Sequence, residues 1–286
     1  MDLSGTAAYH GSSYSHRSSS KGGDYRGELD KAFLCALSAA PDGDPDGYQF
    51  LDRPDVERFN AELRAYGDLL DEHGVDVAME TSAHPNAAYS ADAYLGVGGD
   101  LYLSRMASAV RRAEEPERFA FVHERGYDPI VPFGGGEYFE ISNAVPSREG
   151  LVLGVGQRGT ETAARQLASV VDIDTTIVRT SDHVQHLMGA LRPLPDGRAA
   201  IRPAHIEDTG KLESCYDGFL VFEETEEVVR KQAMNVTIAA DETILMPNDT
   251  PNTESKLAAQ YDVETTSVEE IRKGAGGLAC LTGRVD

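Results

Sequence analysis

Tryptophan is absent from this 286-residue chain, and lysine nearly so, with only Lys21, Lys31, Lys211, Lys231, Lys256 and Lys273. No apolar run approaches the roughly 20 residues needed to cross a bilayer as a helix, so the pattern excludes a membrane-spanning helix. Residues 1–23 are rich in Ser, Gly and Tyr and lack the apolar stretch of a secretory signal, so we expect a polar, disordered tail on a cytoplasmic protein. Cysteine is scarce too. Cys35, Cys215 and Cys280 form no CxxC pair and no Cys/His spacing, which excludes a zinc site or a disulfide framework. Nor is there a phosphate-binding loop: "GGDLYLS" and "FGGGEYF" lack the Lys-Ser/Thr of a nucleotide site.

What the chain has in excess is acid. Asp plus Glu number 48 against 26 Lys plus Arg, a net charge of −22. Such a field repels phosphate backbones and anionic lipid, so neither nucleic acid nor membrane is an expected partner. The acids are spread along the whole chain, which fits a surface adapted to high salt better than the steering of a cationic substrate. The hydrophobic fraction of 41% suffices for a buried core.

From Asp24 the pattern becomes regular. "ELDKAFLCAL" (Glu28 to Leu37) reads as a strand, and "PDGDPDG" as an acidic turn-rich loop. Phe59, Leu63, Tyr66 and Leu70 recur at three or four residues, which predicts an amphipathic helix over Asp55 to His73, stopped at Gly74. "VDVAM", "LYLSRM", "FEISN", "LVLGVG", "TTIVRT", "GFLVF" and "VETTSV" read as strands. Helices are expected over Ala107 to Phe119, "TETAARQLASVV" and "TESKLAAQY", and a hairpin in "NVTIAADETILMP" around Asp241. Strand pairs alternating with single helices predict a mixed α/β fold, and no internal linker divides 24–286, so one domain is expected.

Four segments, in order, resemble the guanidine-modifying superfamily of arginine deiminases, dimethylarginine hydrolases and amidinotransferases. "PNAAYSADAY" with "VGGDLYLSRM" is similar to its Pro-Asn-x-x-aromatic-x-x-Asp segment, and "FGGGEYFEISN" stands where Glu-Gly-Gly-Asp is expected. "LVLGVGQRGTETAARQL" is similar to the strand, Arg-bearing turn and helix that follow. "MNVTIAADETILMPNDTPNT", followed by "GAGGLACLTGRV", closes the match, and that last element resembles the Gly-Gly-x-x-Cys-Leu-Thr signature that presents the nucleophile. The resemblance implies a pentein fold, a five-bladed pseudo-symmetric α/β propeller of ββαβ units. It also implies a cysteine-dependent hydrolase cleaving a C–N bond in a guanidino, amidino or ureido compound.

A guanidinium carbon is a poor electrophile, and a thiolate can attack it to give a covalent thioether that water resolves. Cys280 is the expected nucleophile, with Gly274, Gly276 and Gly277 opening the approach to it and presenting backbone amides to the sulfur. The histidine that moves protons is expected at His186 in "DHVQHLMGAL", with His183 as the alternative. Asp92 and Asn86 are the expected substrate contacts, joined by Glu137 and by Arg158, which would face a substrate carboxylate. Cys35 and Cys215 read as structural.

Two departures stand out. Gly134 replaces the Glu of Glu-Gly-Gly-Asp, leaving Glu137, Glu140 or Asp182 to compensate, and Met188 replaces an Asp two residues beyond the histidine. Losing such a charged partner typically costs about 1.5–3 kcal/mol, so an atypical substrate is expected. An amidinotransferase and a non-catalytic ligand-binding member are the alternatives. No cofactor and no metal are implied, since water suffices as second substrate, and a homodimer is left open as an assembly.

Overall fold

The computed structural model describes residues 29–285 apart from Asp42 and Glu149, so the expected tail over 1–23 lies outside the described residues. Strand β1 (Lys31–Leu37) is followed by α1 (Val56–Glu72) and by β2 (Asp76–Ser82), which pairs parallel with β1. The predicted helix boundaries hold. Asp55 caps α1 by accepting from the Arg58 N–H at 3.1 Å, and Gly74 ends it with φ +84°. Phe59, Leu63, Tyr66 and Leu70 are fully buried against β1, as the three-four spacing requires.

A second unit has β3 (Tyr94–Val97) antiparallel to β4 (Asp100–Leu103), with a parallel bridge from Tyr102 to Ile130 completing it. The single helix expected over Ala107 to Phe119 is instead two, α2 (Ala109–Arg112) and α3 (Glu115–Glu124). Pro116 explains the break, because proline fits the first turn of a helix and disrupts the interior.

The third unit is β5 (Ala144–Pro146), β6 (Gly150–Val155), α4 (Glu161–Ala168) and β7 (Asp174–Arg179). Here "FEISN" is not a strand: Ile141–Asn143 form a 3-10 turn leading into β5. The fourth unit, β8 (Leu191–Pro193), β9 (Ala199–Ile201) and β10 (Phe219–Val221), has two 3-10 turns where a crossover helix was expected. Its crossover carries Pro203 and Gly210 and offers no helix-length apolar repeat. After α5 (Glu226–Val229) comes the fifth unit. The expected hairpin forms from β11 (Thr237–Ile238) and β12 (Ile244–Pro247), then α6 (Pro251–Ala258) leads to β13 (Val263–Thr266).

The C-terminal α7 (Leu278–Leu281) and β14 (Gly283–Arg284) return to the start. β14 pairs antiparallel with β1 and parallel with β3, so it serves as the first strand of unit one. Each unit is thus a strand pair plus a parallel third member, the arrangement the resemblance implied. The segment just before the first strand of each unit supplies a side chain to a single cleft.

Candidate active site

Those five segments bring Asp92, Glu140, His186, Asn235 and Cys280 into one cleft of about 220 Å³. No two of the five come from the same repeat unit. The site is therefore a product of topology, which joins positions separated by up to 188 residues, since 280 − 92 = 188.

Cys280 sits in α7. Asn235 grips it twice, donating Nδ2–H to Sγ at 2.9 Å and accepting the Cys280 backbone N–H at 3.1 Å. The preceding glycines are required by packing as well as by access. A Cβ on Gly274 or Gly276 would overlap the Tyr89 ring, and one on Gly277 would lie 2.8 Å from Asn235 Cβ. Burial, and after it the negative charge of Asp92, push the thiol pKa up against the Asn235 amide and the Gly277 N–H, which favour the thiolate.

His186 faces two carboxylates, with Nε2 2.7 Å from Glu140 and 3.6 Å from Asp92. Burial disfavours the imidazolium, but Asp92 and the Glu140 hydrogen bond outweigh it and raise the pKa. Burial likewise works against the Glu140 carboxylate. The His186 hydrogen bond and charge, with Arg111 and Arg158 behind them, nevertheless hold it well below the ordinary carboxylate range. Asn143, three residues after Glu140, accepts the Leu187 N–H at 2.9 Å and so fixes the turn carrying His186.

Asp92 is 4% exposed, accepts from Ser142 Oγ and pairs with Arg111. Arg111 in turn holds both oxygens of Glu114 at 3.0 and 3.1 Å and lies 4.0 Å from Glu140. One ligand atom each from Asp92, Glu140 and His186 lie within 4.8 Å of one another, a spacing that could hold a metal ion. Arg111 already supplies positive charge beside both carboxylates, so we assign no metal there.

Among the other expected site residues, Asn86 lies in the cleft wall. Its Nδ2–H donates to the Tyr48 carbonyl at 2.9 Å, and its buried Oδ1 has no partner among the described residues. Arg158 is also in the wall, but it is turned to Glu140 at 3.4 Å and to Gln49 Oε1. Met188 gives the wall an apolar face. Glu137 is not in the cleft, which corrects the expectation: its carboxylate accepts from Thr160 Oγ1. Gly134 is exposed, and Gly135 and Gly136 turn the loop outward with φ of +68° and +85°. The triple glycine had suggested Glu-Gly-Gly-Asp, whereas the inward acid lies in Glu140-Ile141-Ser142-Asn143, where bulkier residues replace the glycines. Asp182 and His183 are exposed and do not line the cleft, while Cys35 and Cys215 are buried elsewhere.

No protein-family model matches the chain. The bifunctional arginine dihydrolase/ornithine cyclodeaminase ArgZ of Synechocystis sp. is 27% identical over 225 residues, 74% of this chain and 31% of that protein. The protein of the same description from Nostoc sp., AgrE, is 26% identical over 234 residues, 76% of this chain and 32% of its own. The chain thus spans about a third of the length of these curated relatives. Among solved structures, the N-terminal domain of ArgZ covalently bound to a reaction intermediate superposes with a TM-score of 0.77 at 24% identity, covering 90% of this chain and 97% of that one. A dimethylarginine dimethylaminohydrolase adduct with 4-chloro-2-hydroxymethylpyridine gives 0.73 at 20% identity, covering 90% and 99%.

The fold is therefore the pentein fold. Among curated proteins the likeness is to the bifunctional arginine dihydrolase/ornithine cyclodeaminase proteins named above.

Proposed function

We propose that this chain is a cysteine-dependent hydrolase of a C–N bond in a guanidino-type small molecule. The observation that carries the reading is the convergence of a cradled thiol, a histidine and two buried carboxylates in one cleft. Asp92 and Glu140, both lining the cleft, offer acceptors to a planar cation with forked donors. The likeness to proteins described as arginine dihydrolases supports the same substrate class.

Cys280, as thiolate, attacks the central carbon and forms a C–S bond. The C–N bond breaks as His186 imidazolium gives its proton to the leaving amine or ammonia. The neutral imidazole then takes a proton from water, whose oxygen attacks the same carbon. The C–S bond breaks, the thiolate returns and a ureido compound leaves, so guanidine plus water gives urea-type product plus amine. Glu140 keeps His186 oriented and charged through the first half of this cycle. A cytoplasmic setting and action as a single propeller domain belong to the same reading, supported by three free cysteines. No helix among the described residues is long and apolar enough to cross a membrane.

Turnover of a panel of guanidino, amidino and ureido compounds, followed as ammonia, amine and ureido product, tests the proposal. The expected result is turnover of at least one guanidino compound that vanishes in Cys280→Ser. Equal turnover by the two proteins would overturn it.

A further inference from the structure

A half-buried cation with an enclosed Nε, and with no counter-charge among the described residues, lies behind the nucleophile. Arg192 of β8 donates from Nη2 to the carbonyl of Val236, the residue after the Asn235 that grips Cys280. Its Nε is enclosed and has no partner, and no carboxylate pairs with it among the described residues. Arg192 lines a second cavity of about 70 Å³, together with Ala279 and Thr282 from either side of Cys280. No acid lines that cavity, in a protein whose net charge is −22. A guanidinium partly withdrawn from water, with one N–H enclosed and no anion beside it, is costly and is stabilised by a compensating charge.

We propose, on the hydrolase reading above, that Arg192 is a positioning residue and the counter-charge of the Cys280 thiolate, held behind α7 by its bond to the Val236 carbonyl. Two links tie it to the sulfur. One is mechanical, through Val236, Asn235 and the double contact to Cys280. The other is electrostatic, acting through the backbone of the same turn.

The groups around Cys280 explain why such a charge is needed. Asp92 faces it from unit two and opposes ionisation, while Tyr66 and Tyr89 are buried neutral phenols at neutral pH. Across the cleft, Glu140 is satisfied by His186, and Arg111 is committed to Glu114 and Asp92. Around Arg192 lie Tyr66, Tyr216 and Arg284, none of them an anion at neutral pH. Burial pushes the Arg192 pKa down to about 10, which leaves it charged at neutral pH. A cation favours the thiolate, so its removal moves Cys280 ionisation to higher pH.

The test is the pH dependence of Cys280 alkylation by iodoacetamide in the full chain, located by peptide mass spectrometry. It compares wild type with Arg192→Gln, which keeps an N–H for Val236 but drops the charge, and with Arg192→Lys, which keeps the charge. The expected result is a curve displaced upward in Arg192→Gln by about one pH unit, hence about tenfold slower alkylation below the midpoint. Arg192→Lys restores most of the rate. If Arg192→Gln does not fold, Arg192→Leu removes the stranded polar group and gives the same comparison. A folded neutral variant with an unmoved curve overturns the proposal. A wild-type Cys280 that resists alkylation at every pH removes the hydrolase reading and this proposal with it.

Discussion

Asn235 holds Cys280 by both its side chain and its backbone, through contacts of 2.9 and 3.1 Å, so one amide sets where the sulfur points and how readily it ionises. Asn235→Ala removes both. A hydrogen bond to a charged group is worth about 1.5–3 kcal/mol, so kcat/KM should fall roughly ten- to a hundredfold while the protein still folds. Steady-state kinetics alongside a thermal melt check this; unchanged kcat/KM in a folded variant would contradict the clamp. Asn235 lies in "MNVTIAADETILMPNDTPNT", which the resemblance includes, but the sequence gives it no role, because an Asn before a strand is most often a turn or cap residue. Cys280, His186 and Asp92 were legible because each sits in a motif. Glu140 reads only as one of three acids that could compensate, because the neighbouring glycines draw the motif to Glu137, and Arg192 lies in the short β8, which the sequence pattern does not predict. Partnerships made only in three dimensions leave no local pattern.

At the scale of elements, the legible parts were those whose local signals agree. Helix α1 has its cap, its apolar repeat and its terminal glycine in register, and the hairpin around Asp241 joins two apolar runs across a polar turn. The missed parts are those where tertiary contacts decide. "FEISN" has strand-like composition, yet Glu140 turns inward to His186 and the chain takes a 3-10 turn. The glycine turn leading into α7 is tightly constrained, since Tyr89 packs where side chains on Gly274 and Gly276 would stand. Gly276→Ala should therefore displace Tyr89 or the turn and destabilise the fold by about 1–3 kcal/mol. The melting temperature reports it, and a loss of activity should accompany it because Cys280 moves with the turn. A melt and an activity equal to wild type would show that the turn has slack.

Across the whole molecule, the net charge of −22 creates self-repulsion that no single ion pair offsets. Many of the ion pairs are exposed, such as Arg58–Glu269 and Arg165–Glu161, and contribute little each. Screening shortens the reach of repulsion from about 10 Å at 0.1 M salt to about 3 Å at 1 M. The melting temperature should therefore rise steadily with potassium chloride over that range, as high-salt adaptation requires. A flat or falling curve would contradict that reading of the composition.

All five repeat units contribute to the cleft, and the account depends on one side chain there, Cys280, forming a bond to substrate carbon. The most direct test is an acid quench of the wild-type protein during turnover of guanidino compounds, followed by intact and peptide mass spectrometry. The account predicts a transient mass increase that maps to Cys280 and is absent from Cys280→Ser. Turnover with no adduct at Cys280 at any quench time, or an adduct on another residue, would contradict it.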